Sequence, residues 1–194
     1  MLILASASPR RRELLTQAEL AFSVESADLN EDLLPGEAAA AYVQRLAVEK
    51  AQTIWNRRQS TDALDDPLIV LGADTSVVVD GHILGKPVDA ADADRMLRLL
   101  SGRTHAVLTG LAAVTRKGIL SDVEITQVAF NILNDEEVAK YIASGEPLDK
   151  AGAYAIQGYA ARWIPRIEGC YFNVVGLPIA RTIVLLAEAK AGLQ

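Results

Sequence analysis

The chain has 194 residues, 51% hydrophobic and 23% charged, enough to bury a real core in a single domain spanning 1–194. A formal net charge of −6 supplies no basic field for nucleic acid or an anionic membrane, so any basic site must be a local cluster. One cysteine and two histidines exclude a disulfide framework and argue against structural zinc, and a reducing, cytoplasmic setting is expected.

Met1–Ala5 is an apolar run long enough for one buried strand and too short for a signal peptide or membrane span. Ser8 is a suitable N-cap and Pro9 fits the first helical position, which predicts a helix over about Ser8–Ala18. Arg10, Arg11 and Arg12 load its first turn, where the helix dipole disfavours cations by roughly 0.3–1 kcal/mol. Free N–H groups, the Ser6 and Ser8 hydroxyls and guanidinium forks at one helix start make a seat for an anion, phosphate foremost. A solvated arginine face is the bland alternative, and it is the reading for Arg12.

Ala21–Glu25 reads as a second strand, followed by a polar loop through Asn30, Glu31 and Pro35-Gly36. A long helix is predicted over about Glu37–Arg58, with Val43, Leu46, Ala47 and Ile54 on one stripe. Lys50 lies on that stripe and either snorkels along apolar surface or reaches into a cleft. Asp65-Asp66-Pro67 breaks the chain before a strand that runs from Leu68 through Gly72-Ala73-Asp74-Thr75 to Val79. A carboxylate embedded in apolar strand is costly unless paired, hydrogen-bonded or bound to metal. Asp74 is therefore either a functional acid or a structural aspartate closing a turn with Thr75.

Asp80-Gly81 signals a hairpin. Gly81–Pro87 is not a phosphate-binding P-loop: three residues instead of four separate its glycines, and Pro87 follows Lys86 where Ser or Thr would hold magnesium. A helix over Ala90–Leu100 leads to strands over His105–Val114 and Asp122–Ile132 around a Lys117-Gly118 turn. A helix over Asp135–Ala143 then stops at Gly145-Glu146-Pro147. A glycine-punctuated stretch to Gly158 precedes two short predicted strands, near Arg162–Ile167 and Tyr171–Val175, and Pro178 starts a last helix. Cys170 sits in an apolar strand pattern, where a buried cysteine is usually inert packing, and neither His82 nor His105 has an evident partner for nucleophilic catalysis. The class is α/β with a mixed sheet. The cations Arg10, Arg11, Lys50 and Lys86 with the acids Glu31 and Asp74 suit a polyphosphate and a divalent metal.

Ser6–Arg11, Arg45–Ala51, Gly72–Thr75, Gly85-Lys86-Pro87, Leu100–His105, Gly145–Gly152 and Val174–Pro178, in order along the chain, resemble the Maf-type nucleoside triphosphate pyrophosphatases. The resemblance implies an elongated, twisted mixed sheet with flanking helices, two lobes around a central nucleotide cleft, and a homodimer. It implies hydrolysis of a nucleoside triphosphate to monophosphate and pyrophosphate with a divalent metal, Mg or Mn. Asp74 falls on the catalytic carboxylate, described as a proton acceptor, with a metal-ligand role as alternative or addition. Ser6, Arg11, Lys50 and Lys86 match phosphate-contacting positions, Glu31 an acidic position near the metal, and Arg10, Thr75 and Gln157 positions linked to base preference. Ala151–Gly158 looks like the subgroup acting on dTTP and UTP, and not the sister subgroup acting on 7-methyl-GTP. The Gln157 amide carries both donors and an acceptor for a pyrimidine's carbonyl and imide edge. The sequence departs from the family pattern at Asn30, often an acid, at Ala155, often glycine, and at Cys170, often serine. Rival readings are a nucleotide-binding regulator of septum formation and a sugar-phosphate or cyclic-nucleotide enzyme using the same anion seat.

Overall fold

The computed structural model describes residues 1–59 and 67–193. Asp65 and Asp66, read above as the break before a strand, lie outside the described residues. Among the described residues the strands are β1 (Leu2–Leu4), β2 (Ser23–Val24), β3 (Ile69–Val79), β4 (His82–Leu84), β5 (Thr104–Thr115), β6 (Gly118–Ala129) and β7 (Arg166–Glu168). The α-helices are α1 (Pro9–Gln17), α2 (Ala39–Gln59), α3 (Ala90–Leu100), α4 (Asp135–Ala143), α5 (Tyr171–Val175) and α6 (Ile179–Ala191). The strands form one mixed sheet in the order β2-β1-β3-β5-β6-β7, with β4 paired to β3. β1 runs parallel to both β2 and β3, while β3–β4 and β6–β7 are antiparallel.

The chain divides into two compact units. One comprises Met1–Asp74, Thr109–Glu124 and Gly176–Gln194, and the other Thr75–Leu108 and Ile125–Val175. β3, β5 and β6 each run from one into the other.

In the first unit, α2 lies directly on the sheet because glycines let it approach. A Cβ on Gly72 of β3 would stand 2.0 Å from the Ala47 carbonyl oxygen, and one on Gly110 of β5 would stand 2.2 Å from that of Val43. Neither glycine has positive φ, so the space is what requires them. Ile3, Ala47, Ala51, Ile54, Trp55, Val70 and Ala112 form the buried cluster at this contact. Side chains alternate along a strand, so Val70, Gly72 and Asp74 share the face that meets α2. The same stripe of α2 that buries Ala47 and Ala51 carries Lys50. Two apolar patterns of different period thus bring one lysine and one carboxylate to the same interface.

The second unit holds β4, α3, α4, α5, β7 and three 3₁₀ turns, at Glu146–Asp149, Ala151–Ala153 and Tyr159–Trp163. An aromatic cluster fills its centre: Phe130 meets His105, Tyr154 and Trp163, and Trp163 meets Tyr141 and Tyr159.

Three sequence expectations fail here. Tyr171–Val175 is a short helix and not a strand. Gly169, at φ 125°, turns the chain against Thr126, whose hydroxyl accepts from the Cys170 N–H (3.0 Å) and donates to the Cys170 carbonyl (3.1 Å). That carbonyl then accepts from the N–H groups of Asn173 and Val174, starting a helical turn. The aromatic and β-branched residues that suggested a strand are overridden by this tertiary contact. Cys170 consequently sits half-buried at the turn. Of Arg162–Ile167 only Arg166 and Ile167 are strand, the start of β7, because Arg162 and Trp163 end a 3₁₀ turn just before Pro165. The β6 strand also begins earlier than expected, directly after the two-residue turn at Arg116-Lys117, and ends at Ala129.

Candidate active site

The N-terminus of α1 is built as its sequence suggests. Ser8 is the N-cap, accepting at 3.5 Å from the Arg11 N–H, with Pro9 at the first position. No acidic residue occupies the first turn, which leaves its positive end uncompensated within the helix. The Ser6 hydroxyl accepts from the Ser8 N–H (3.3 Å) and from an Arg11 terminal nitrogen (3.1 Å). The Arg11 Nε donates to the Gly176 carbonyl at 2.9 Å, so the guanidinium is anchored at two points and buried. Burial lowers its affinity for a proton, and the charge of Asp74 works against that effect. Arg10 is half-buried and its charge bears on Arg11, whereas Arg12 is exposed.

Lys50 and Asp74 meet at the α2–β3 contact. The Lys50 ammonium lies 2.7 Å from Asp74 Oδ1 and 2.7 Å from Glu31 Oε1. Lys50 and Asp74 are 9% and 8% exposed, whereas the Glu31 side chain is about half exposed, at 52%. Burial raises the Asp74 pKa above the usual carboxylate range, opposed by the charges of Lys50 and Arg11 and by the Lys50 hydrogen bond. A buried ion pair of this kind adds little net stability, because desolvation offsets the attraction. It does hold a carboxylate partly protected from water with cations beside it, which is a setting for proton and phosphate chemistry.

Glu31 reaches Lys50 from an irregular loop fastened to α2. The Tyr42 hydroxyl donates to the Glu31 carbonyl at 2.8 Å. Arg45 makes a bidentate pair with Glu37 (2.7 and 2.8 Å), bonds Glu49, and donates to the Asp32 carbonyl at 3.1 Å. Successive turns of one helix therefore hold the loop backbone (Tyr42 and Arg45) and its acid (Lys50).

Among the described residues no three His, Cys, Asp or Glu side chains cluster as a complete metal cage. Glu31 and Asp74 nonetheless direct oxygens at one cationic point, the Lys50 ammonium. Hard oxygen donors in that number fit a magnesium-like ion, which takes one or two carboxylates and completes its shell with substrate phosphates.

The remaining sequence candidates belong to the second unit. Thr75 follows Asp74 in β3. Lys86 is exposed beyond β4, next to Gly85, whose carbonyl accepts from the Gly152 N–H at 3.0 Å. Gln157 is exposed in a turn closed by the Gly158 N–H on the Ala155 carbonyl at 3.1 Å.

A family model described as Maf-like protein matches residues 1–189. The chain belongs to the Maf family. Curated relatives include proteins named dTTP/UTP pyrophosphatase from Hahella chejuensis, 50% identical over 187 residues (96% of this chain, 91% of the relative), and from Chromobacterium violaceum, 51% identical over 185 residues (95% and 92%). A third, of the same name, from Koribacter versatilis, is 50% identical over 188 residues (97% and 94%).

In this Maf chain the structure adds residues that the sequence reading passed over. Tyr42 and Arg45 orient the Glu31 loop, and Gly176 orients Arg11 through a backbone carbonyl. Arg45 and Gly176 both lie inside the motifs quoted above, but a carbonyl acceptor leaves no mark on residue type. Tyr42 carries no signal beyond its place on the polar side of a helix.

Proposed function

We propose that this chain hydrolyses dTTP and UTP to the monophosphate and pyrophosphate, limiting incorporation of non-standard nucleotides. The observation that carries the reading is the buried Lys50–Asp74 pair beside Arg11, in a family whose half-identical members bear that activity in their names. Asp74 accepts the proton of a water that attacks the α-phosphorus. The water oxygen forms the new bond to phosphorus, the bridge to the β-phosphate breaks, and pyrophosphate departs. Ser6, Arg11, Lys50 and Lys86 hold phosphate oxygens and neutralise charge as it moves onto the leaving group, since positioning and electrostatics carry most of the rate in phosphoryl transfer. Glu31 and Asp74 would hold a Mg or Mn ion, whose chemistry when bound is to polarise phosphate oxygens and offset their charge.

Arg10, Thr75 and Gln157 select the base, with the Gln157 amide reading the carbonyl and imide edge shared by thymine and uracil. Such paired bonds discriminate because a wrong base leaves polar groups unmatched. The protein works as a homodimer in the cytoplasm and has no nucleic-acid partner. Among the described residues no helix is long and apolar enough to cross a membrane.

Purified protein is to be given dTTP, UTP and 7-methyl-GTP with Mg or Mn, and both pyrophosphate and orthophosphate measured. Pyrophosphate from the two pyrimidine nucleotides is expected. No pyrophosphate from any nucleotide would leave the septum-regulator reading in its place, and preference for 7-methyl-GTP would move the chain to the sister activity.

A further inference from the structure

The turn that displays Gln157 is gripped by side chains to which no role has been given. Tyr141, on α4 and only 1% exposed, accepts from the Ala155 N–H at 3.2 Å and donates to Glu146 Oε1 at 3.1 Å. The Glu146 carboxylate lies against Gly158: a Cβ there would stand 1.9 Å from Oε1. Its other oxygen faces the Tyr159 N–H at 3.5 Å. Gly158 has an ordinary negative φ of −103°, so its backbone conformation does not require glycine, and a side chain there would have to displace the Glu146 carboxylate. The Glu146 backbone is fixed: its N–H donates to the Ser144 hydroxyl and its carbonyl accepts from Lys150. Just before the turn, Tyr154 is pinned by its hydroxyl to His105 Nε2 at 2.8 Å. One end of a four-residue turn is thus held by a phenol, the other by a carboxylate, and the two holders are bonded to each other.

We infer that Tyr141 and Glu146 are positioning residues for base selection: they lock the Ala155–Gly158 turn so that Gln157 presents its amide in one orientation. The inference rests on the reading of Gln157 as the base-facing residue. A glutamine on a loose turn rotates to suit either a pyrimidine imide or an aminopyrimidine, because its amide offers donor and acceptor alike. Fixing the turn removes that freedom and converts a polar contact into a discriminating one. The Tyr141 and Tyr159 rings stack at 5.6 Å with an 18° interplanar angle, which steadies the far side of the same turn.

The test compares kcat and KM for UTP, dTTP and CTP in the wild type, Tyr141→Phe, Glu146→Ala, Glu146→Gln and Gln157→Ala. Tyr141→Phe and Glu146→Ala are expected to lower the UTP-to-CTP ratio of kcat/KM by about tenfold, through a higher KM for UTP with kcat held within about threefold. Glu146→Gln keeps an oxygen for the Tyr141 hydroxyl and should retain most of the ratio. Tyr141→Phe placed on Gln157→Ala should add no further loss, since both act through one contact. The inference is overturned if Gln157→Ala loses the ratio while Tyr141→Phe and Glu146→Ala, folded by circular dichroism, keep it. It is overturned equally if they slow all three nucleotides alike through kcat, which is what a merely structural role would do. Should Tyr141→Phe not fold, the Glu146 pair decides alone. A ratio unchanged in Gln157→Ala defeats the base-reading assignment itself and is recognisable as that separate failure.

Discussion

The two candidate regions are built on opposite electrostatic plans. Around Asp74, charges meet in contact and all but Glu31 are buried: one ammonium between two carboxylates, and a guanidinium anchored by a hydroxyl and a carbonyl. Around Gln157 the buried polar groups are mostly neutral: a phenol on an amide N–H, a phenol on an imidazole, and rings packed edge to face. Charge in a poorly solvated setting is strong and indifferent to what the phosphate is attached to. Neutral hydrogen bonds are weaker, and they depend on the partner's donor and acceptor pattern. On the proposed function, the first plan suits holding a triphosphate and the second suits choosing a base.

The largest expected effect breaks the charged region. Asp74→Asn keeps size and shape and removes the proton acceptor, and turnover should fall by at least about 10³-fold with nucleotide affinity much less affected. Normal turnover in a folded Asp74→Asn protein would sink the assignment. Because burial raises the Asp74 pKa, the acid limb of the wild-type rate profile should lie above the usual aspartate range. A limb at the ordinary aspartate value would show that its surroundings are not those described.

Lys50→Met comes next and separates stability from chemistry. It strands a buried carboxylate without its ion pair, which costs about 3–5 kcal/mol when one partner of such a pair is removed. Asp74 should then bind its proton more tightly still, moving the acid limb of any residual activity to higher pH. Unchanged thermal stability would mean that water reaches this pair freely. Tyr42→Phe is milder, removing only the hydroxyl on the Glu31 carbonyl. With about 1 kcal/mol lost from one hydrogen bond, the Mg concentration for half-maximal activity should rise about fivefold, with kcat little changed. An unaltered Mg requirement would detach Glu31 from metal binding.

The same contrast explains what could be read before any fold was known. Lys50 on an apolar stripe and Asp74 in an apolar strand violate local patterning, so each stood out, and their convergence follows from two periodicities meeting. The α/β class, the capped start of α1 and the bounds of α3 and α4 follow from capping and spacing signals. The Gln157 region violates nothing. Tyr141 lies on the buried face of its helix, where an aromatic is expected, and its hydroxyl partners come from residues 146 and 155 along an irregular path. The Tyr171–Val175 error has the same origin, since a single threonine hydroxyl, 44 residues away, decides that segment.

The comparison is sharpened last through pH, where the effect is spread over several units. His105 is 1% exposed, its Nδ1 has no hydrogen-bond partner among the described residues, and burial lowers its pKa to about 4, against 6.5 for an ordinary histidine. As pH falls through 6.5 the unfolded chain takes up this proton first, so stability contributed by neutral His105 is present above pH 6.5 and is lost progressively down to about 4. The full loss is of order 3 kcal/mol at one proton and about 1.4 kcal/mol per pH unit. Asp74, whose pKa is raised, acts in the opposite sense: its folded form binds the proton more tightly, so its contribution grows as pH falls and is lost as pH rises through its folded value. His105→Gln should therefore flatten the decline of melting temperature between pH 7 and 4.5, whatever its effect at pH 7, and Asp74→Asn should remove the opposing contribution as pH falls through the raised Asp74 value. Parallel curves for wild type and His105→Gln would show that the imidazole titrates normally, and the aromatic core around Tyr154 would then be open to water.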